Sequence, residues 1–292
     1  MTRCNSFTGL LAALALGIAL VGCSAVKLAY NNLAEVAYWW LDGYVDFSDA
    51  QAPKARADLA ALLAWHRQAE LPKLIALLQK AAAMAPNEAT PAQACELAAD
   101  IRMRLMAVAG RAEAPAAALA VTLDEAQLKT LERKYAKNNA NYAKDWLALT
   151  PAQQQDKRYD KLLEQSEDFY GRLDAGQREL LRRLIAQSGF DAQRVDAERR
   201  RRQQKALALL RSFQIERSAV ADAQLAIRAY IRHIAEPPPG AGRDYQQAML
   251  EEGCRNVAAL HGATRPAQRQ QAEQRLRAYE TDLRDLIAAG GK

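Results

Sequence analysis

Histidine is scarce in this chain. His66, His233 and His261 are the only three in 292 residues, and none stands in an HExxH or other paired-ligand spacing, so no zinc site is legible. A GxSxG nucleophile elbow, a Walker A loop and a GxGxxG turn are all missing. The one glycine-rich stretch, Gly240-Ala241-Gly242, follows a proline run instead of a strand. No catalytic residue, no metal and no cofactor are therefore expected, although a carboxylate pair assembled by folding leaves no mark in spacing. A strong charge of one sign is missing too. Forty basic and 34 acidic side chains give a formal +6, spread along the chain, which excludes a nucleic-acid balance. Alternating β-rich runs are absent, and helix breakers are few. Alanine and long-chain residues fill the space, and the class read from them is all-α.

The chain has one long apolar run, from about Phe7 to Val21 behind Arg3. It falls short of the ~20 residues needed to cross a bilayer and reads as a secretory signal over residues 1–22. Its end, Leu20-Val21-Gly22-Cys23, resembles a bacterial lipobox. In lipoproteins with that motif the cysteine thiol takes a diacylglycerol, the chain is cut before it, and the new amine is acylated, palmitate being one such acyl group. The resemblance implies lipidation at Cys23 and a membrane-anchored protein of the cell envelope. Ser24, in place of an aspartate, points to the outer membrane, facing the periplasm. Cys95 and Cys254 then remain, and in an oxidising compartment two thiols most simply form one disulfide; the alternative is two buried free thiols.

Residues 23–47 read as a lipidated N-terminus running into an aromatic first helix, and residues 48–292 as a single all-helical periplasmic domain. Tyr30, Tyr38, Trp39, Trp40, Tyr44 and Phe47 crowd this first segment. Such rings sit in a membrane interface or pack a helix onto its domain. Leu33, Val36, Trp40 and Tyr44 recur at helical spacing, which favours packing. Five segments then place a capping oxygen three residues before a glutamine, starting at Ser48, Thr90, Asp124, Thr150 and Asp174. Each is a capping box and predicts a helix start, while Thr264–Gln268 and Asp191–Gln193 miss the spacing by one residue. Packing seams are expected along Leu59–His66, along Leu97, Ile101, Leu105 and Val108, along Leu128–Leu149, and along Ala272–Leu286. No breaker interrupts 190–234. The expected architecture is a multi-helix bundle without β-sheet, with one very long helix over about residues 190–235, or two nearly collinear ones, ended by Pro237-Pro238-Pro239-Gly240.

Two polar clusters stand out. Arg199–Arg202 reads as a solvated turn balanced by Asp191, Asp196 and Glu198, in preference to an anion-binding patch. Trp65-His66-Arg67, ahead of Leu71-Pro72, is the candidate partner patch, set against a plain role in ending a helix. Ala29-Tyr30-Asn31-Asn32, Trp65-His66-Arg67, Cys254 with Leu260-His261, and Arg275–Glu280 with Leu283 together resemble a family of uncharacterised proteobacterial lipoproteins, a domain of unknown function, over the whole mature chain. That resemblance implies location and a helical build and carries no activity. Leu149-Thr150-Pro151-Ala152-Gln153 is also similar to the LTxxQ signature of Spy- and CpxP-type periplasmic proteins. The expected function is a non-catalytic, lipid-anchored helical scaffold or binding protein of the envelope, its partner an envelope protein or an anionic envelope component. A Spy/CpxP-like chaperone is the alternative, and an envelope hydrolase with an unrecognised site the third. A groove lined by exposed apolar and basic residues would favour the chaperone; a closed pocket of convergent carboxylates would favour the hydrolase.

Overall fold

The structure, a computed structural model, describes residues 27–290; the signal segment 1–22 and Cys23 lie outside the described residues. No strand occurs among the described residues, and the class is all-α. A helical turn at 27–31 leads into α1 (Leu33–Val45), α2 (Ala52–Trp65), a π turn (His66–Glu70), α3 (Leu71–Met84), α4 (Pro91–Ala120) and α5 (Glu125–Tyr142). A second π turn (Ala143–Leu147) precedes α6 (Pro151–Tyr170), α7 (Ala175–Ala186) and α8 (Ala192–Ile215). The chain closes with α9 (Val220–Ala235), α10 (Ala241–Gly262) and α11 (Pro266–Ala289).

Local chemistry sets most of the starts. Thr90, Asp124, Thr150 and Asp174 form complete capping boxes for α4 to α7. Ser48 makes half of one: Gln51 Oε1 accepts from its N–H at 3.0 Å, but α2 begins at Ala52 with Gln51 as the cap. Asp191 caps α8 despite its short spacing, accepting from the N–H groups of Gln193 and Arg194. The capping glutamines also bond across helices. Gln127 Nε2 donates to Gln51 Oε1 and Gln177 Nε2 to Gln268 Oε1, each at 2.7 Å, which clasps the start of α2 to that of α5 and the start of α7 to that of α11.

At the centre is α4, the longest helix at 30 residues, packed against α2, α3, α9 and α10, while α11 returns along α3 and α6. The Cys95–Cys254 disulfide joins α4 to α10. The expected long helix over 190–235 is corrected to a hairpin. Arg217 turns left-handed (φ 49°), Ser218 N–H bonds to Phe213 O at 3.1 Å, and α9 folds back so that Tyr230 Oη donates to Arg202 O at 3.0 Å. The cause is tertiary: Phe213 on one arm and Ala223 on the other bury together against Ala117 and Ala120 of α4, which a straight rod cannot do.

Two expected seams are taken up in packing only in part: Leu97 and Val108 of α4 and Tyr44 of α1 are half-buried. Ile101 and Leu105 are 51% and 65% exposed, because α4 buries its small side, with Ala117 at 0% and Ala120 at 5%. Small residues let helix backbones approach, and that closeness replaces the larger side chains. On α1, Leu33, Val36 and Trp40 are 45%, 58% and 61% exposed. Tyr38 is buried in their place, beneath the Arg56 guanidinium (3.6 Å to the ring centroid) and beside Phe47.

Candidate binding site

The arginine turn of α8 sits above a groove. Two carboxylates hold its four guanidiniums: Asp196 pairs with Arg199 (2.7 Å) and Arg200 (2.6 Å), and Glu198 with Arg201 and Arg202 (both 2.6 Å). Two positive charges are left in excess within the turn. Asp191 does not join this set; it caps the helix and reaches Arg194 at 3.6 Å. Hydrogen bonds from Arg201 lead in holding Glu198 down to about 2, against burial and with Arg202 assisting. Burial works on Asp196 in the opposite sense, but Arg200 and Arg199 still keep it below the ordinary carboxylate range.

Across from the turn, Pro237 and the first half of α10 complete a groove of about 890 Å³. Its walls are mainly apolar, with Phe190, Val195, Ala197, Tyr245 and Met249 beside Arg194, Arg199, Arg201, Arg202 and their partner Glu198. Tyr245 is fixed by its hydroxyl, which accepts from Asp191 N–H at 2.9 Å, and Arg194 lies over its ring at 5.5 Å. Arg158 covers Phe190 from behind at 4.5 Å. Beyond Pro237 the groove adjoins a smaller basic hollow of about 290 Å³ where Arg201, Lys205, His233 and Arg243 meet. His233 Nε2 accepts there from Lys205 Nζ (3.0 Å) and Arg201 Nη1 (3.2 Å). The proline loop that ends the α8–α9 hairpin thus borders both spaces. Chemically, the arrangement takes an apolar group and an acidic group side by side.

Trp65, His66 and Arg67 lie elsewhere, where the N-terminal segment meets the body. Tyr30 Oη bonds to His66 Nδ1 at 2.8 Å, Arg67 Nη2 donates to Asn31 Oδ1 at 2.7 Å, and Arg67 stands over the Tyr30 ring at 5.4 Å. Lys27 reaches Asp282 (3.7 Å) and Asp285 of α11. The π turn that carries His66 and Arg67 also buries Glu70, 1% exposed, against Lys73 (2.7 Å) and Arg104 (3.5 Å). Trp65 is half-buried, with Arg111 5.9 Å above its ring. The third histidine, His261, is buried: its Nε2 donates to Asn87 O at 2.7 Å and its Nδ1 accepts from Tyr170 Oη at 3.0 Å.

The chain belongs to a family of unknown function, DUF6279. The family model matches residues 43–223, a narrower stretch than the whole mature chain. No curated protein and no solved structure matches. Within the DUF6279 stretch lie Trp65-His66-Arg67, Cys95 and the arginine turn; Tyr30, Cys254, His261 and the α10 wall of the groove lie outside it. Sequence reasoning had singled out the arginines but not the groove. Pro237 and Tyr245 carried the only signal, an aromatic placed just beyond a rigid loop, and no spacing rule connects them to residues some fifty positions earlier.

Proposed function

We propose that this DUF6279 member is a non-catalytic binding protein of the bacterial envelope, anchored by lipid at Cys23 and facing the periplasm from the outer membrane. The observation that supports the reading is the apolar groove between α8 and α10 with arginines in its lining. Its volume falls in the range of sites for one defined ligand or side-chain cluster, ~300–1,000 Å³. Its lining carboxylate, Glu198, is held ionised by Arg201 and Arg202, so it is no proton donor near neutral pH. The matching occupant is an envelope component that places an acidic group beside an apolar segment.

The same groove meets the condition that favours a Spy/CpxP-like chaperone, and the exposed Ile101 and Leu105 add to that second reading. Size separates the two, since a holdase for unfolded chains needs a broader cradle. The test has two arms. A photo-crosslinking residue placed at Val195 or Met249 in cells should give one dominant adduct that Arg201→Glu removes, and the purified protein at equal concentration should leave an aggregating client unprotected. Strong suppression of aggregation with diffuse crosslinks would put the chaperone first.

A further inference from the structure

We propose that the outer face of α1 is a second membrane contact, lying in the headgroup interface beside the lipid; this rests on the anchor reading of Cys23. Leu33, Val36, Trp39 and Trp40 project within about a third of a turn at 100° per residue, and they are 45%, 58%, 62% and 61% exposed. Leu28, just ahead of the helix, is 67% exposed. Two neighbouring tryptophans in water are an unusual arrangement for a surface that meets nothing, because each ring carries a large apolar area.

The occupant follows from where the chain leads. Cys23 precedes Lys27 by four residues, so an acyl-carrying cysteine stands within about 14 Å of the described fold even when fully extended. Lys27, Tyr30 and Asn31 are fastened to α11, His66 and Arg67, which denies α1 a long tether and holds it near the lipid. The other side of α1 is taken: Tyr38 is buried and the helix packs on α2 and α5. Its polar groups are accounted for as well. Glu35 is paired with Arg56, and Asp42 accepts from Phe47 N–H at 2.9 Å. Arg56, 5.0 Å over Trp39, is taken by Glu35, and Lys27 by Asp282 and Asp285, so the face meets a membrane through its apolar side chains and not through free cations.

Geometry selects a helix lying on the membrane. Among the described residues no helix is long and apolar enough to cross one, and the 13 residues of α1 extend only about 20 Å. Tryptophan is the residue that prefers the interface over the hydrocarbon core. The acyl chains expected on Cys23 suffice to hold the protein, and a helix of this kind adds a contact that sets how the body lies against the membrane.

The eleven α-helices of the described residues lie within 27–290, so the chain from Ser24 to Lys292, made without lipid, contains the whole described fold. That chain is mixed with vesicles of phosphatidylethanolamine and phosphatidylglycerol, with and without brominated acyl chains. We expect flotation with the vesicles and tryptophan quenching by the brominated lipid, and a partition coefficient about tenfold lower for Trp39→Ser/Trp40→Ser. Unchanged helical circular dichroism shows that the variant folds. No vesicle binding by the unlipidated chain, equal binding by the variant, or a tryptophan-dependent dimer in sedimentation would each overturn the proposal. Lipidation is read separately, by the mass of the mature N-terminus, so an unmodified Cys23 with tryptophan-dependent vesicle binding would sink the anchor and spare the helix.

Discussion

At the scale of single residues, two histidines are bonded to tyrosines and their surroundings give them different parts. His261 is locked between Asn87 and Tyr170, whose hydroxyl burial pushes up to about 12 and so keeps as a donor. His66 is half-buried at the joint with Tyr30, and burial lowers its pKa against a smaller upward pull from Glu70. A lowered pKa means that the folded chain prefers the neutral ring. The stability it contributes is present above the ordinary value of about 6.5 and is lost as pH falls through the lowered one. Tyr30, Arg67 and Glu70 are the charged or titratable groups that interact with it or stand beside it in the turn. Thermal midpoints measured between about pH 7.5 and pH 5 should therefore fall further for the native chain than for His66→Phe. Parallel curves for the two proteins would remove His66 from the joint's energetics. None of this was legible beforehand: Trp65-His66-Arg67 was visible as a cluster, but its partner Tyr30 is 36 positions away.

At the scale of elements, helix starts were readable because a capping box is a contact between neighbours in sequence, as at Thr90, Asp124, Thr150 and Asp174. Facing was not readable with the same confidence of rule. Periodicity finds the apolar stripe of a helix, yet α1 turns that stripe outward, and α4 packs through alanines. The disulfide acts at this scale, since Cys254 ties α10, one wall of the groove, to α4. The two cysteines are 159 positions apart, a separation for which the chain-entropy model gives about 5 kcal/mol before strain and residual structure reduce it. Reduction should shift urea unfolding to clearly lower concentration and weaken crosslinking from Met249. Coincident unfolding curves with and without reductant, or two reactive thiols in unfolded, non-reduced protein, would contradict this role.

For the molecule as a whole, the proposed anchor and the fastened N-terminal segment together set an orientation. Lys27 is held on α11 and Tyr30 on His66, so under the proposed anchor the body would follow the lipid without a long tether and present the groove at the α8–α10 edge from a fixed attachment. Cys23→Ser should leave an uncleaved precursor or release soluble protein, whereas the native protein should partition into detergent with the outer-membrane fraction. Equal detergent partitioning of the two would refute lipidation at Cys23.

What the amino-acid order determined alone was whatever depends on residues close in the chain: the all-helical class, the box-capped starts, and the end of the hairpin at Pro237–Gly240. Only the tertiary structure decided the rest. The break at Arg217 has no proline or glycine and exists because Phe213 and Ala223 must reach the same alanines of α4. The groove joins α8 to α10 across the α9 hairpin, and the outward stripe of α1 is left over once Tyr38 has taken the inner position. In each case competition among distant elements for the same buried surface chose the outcome, and that competition has no local signature.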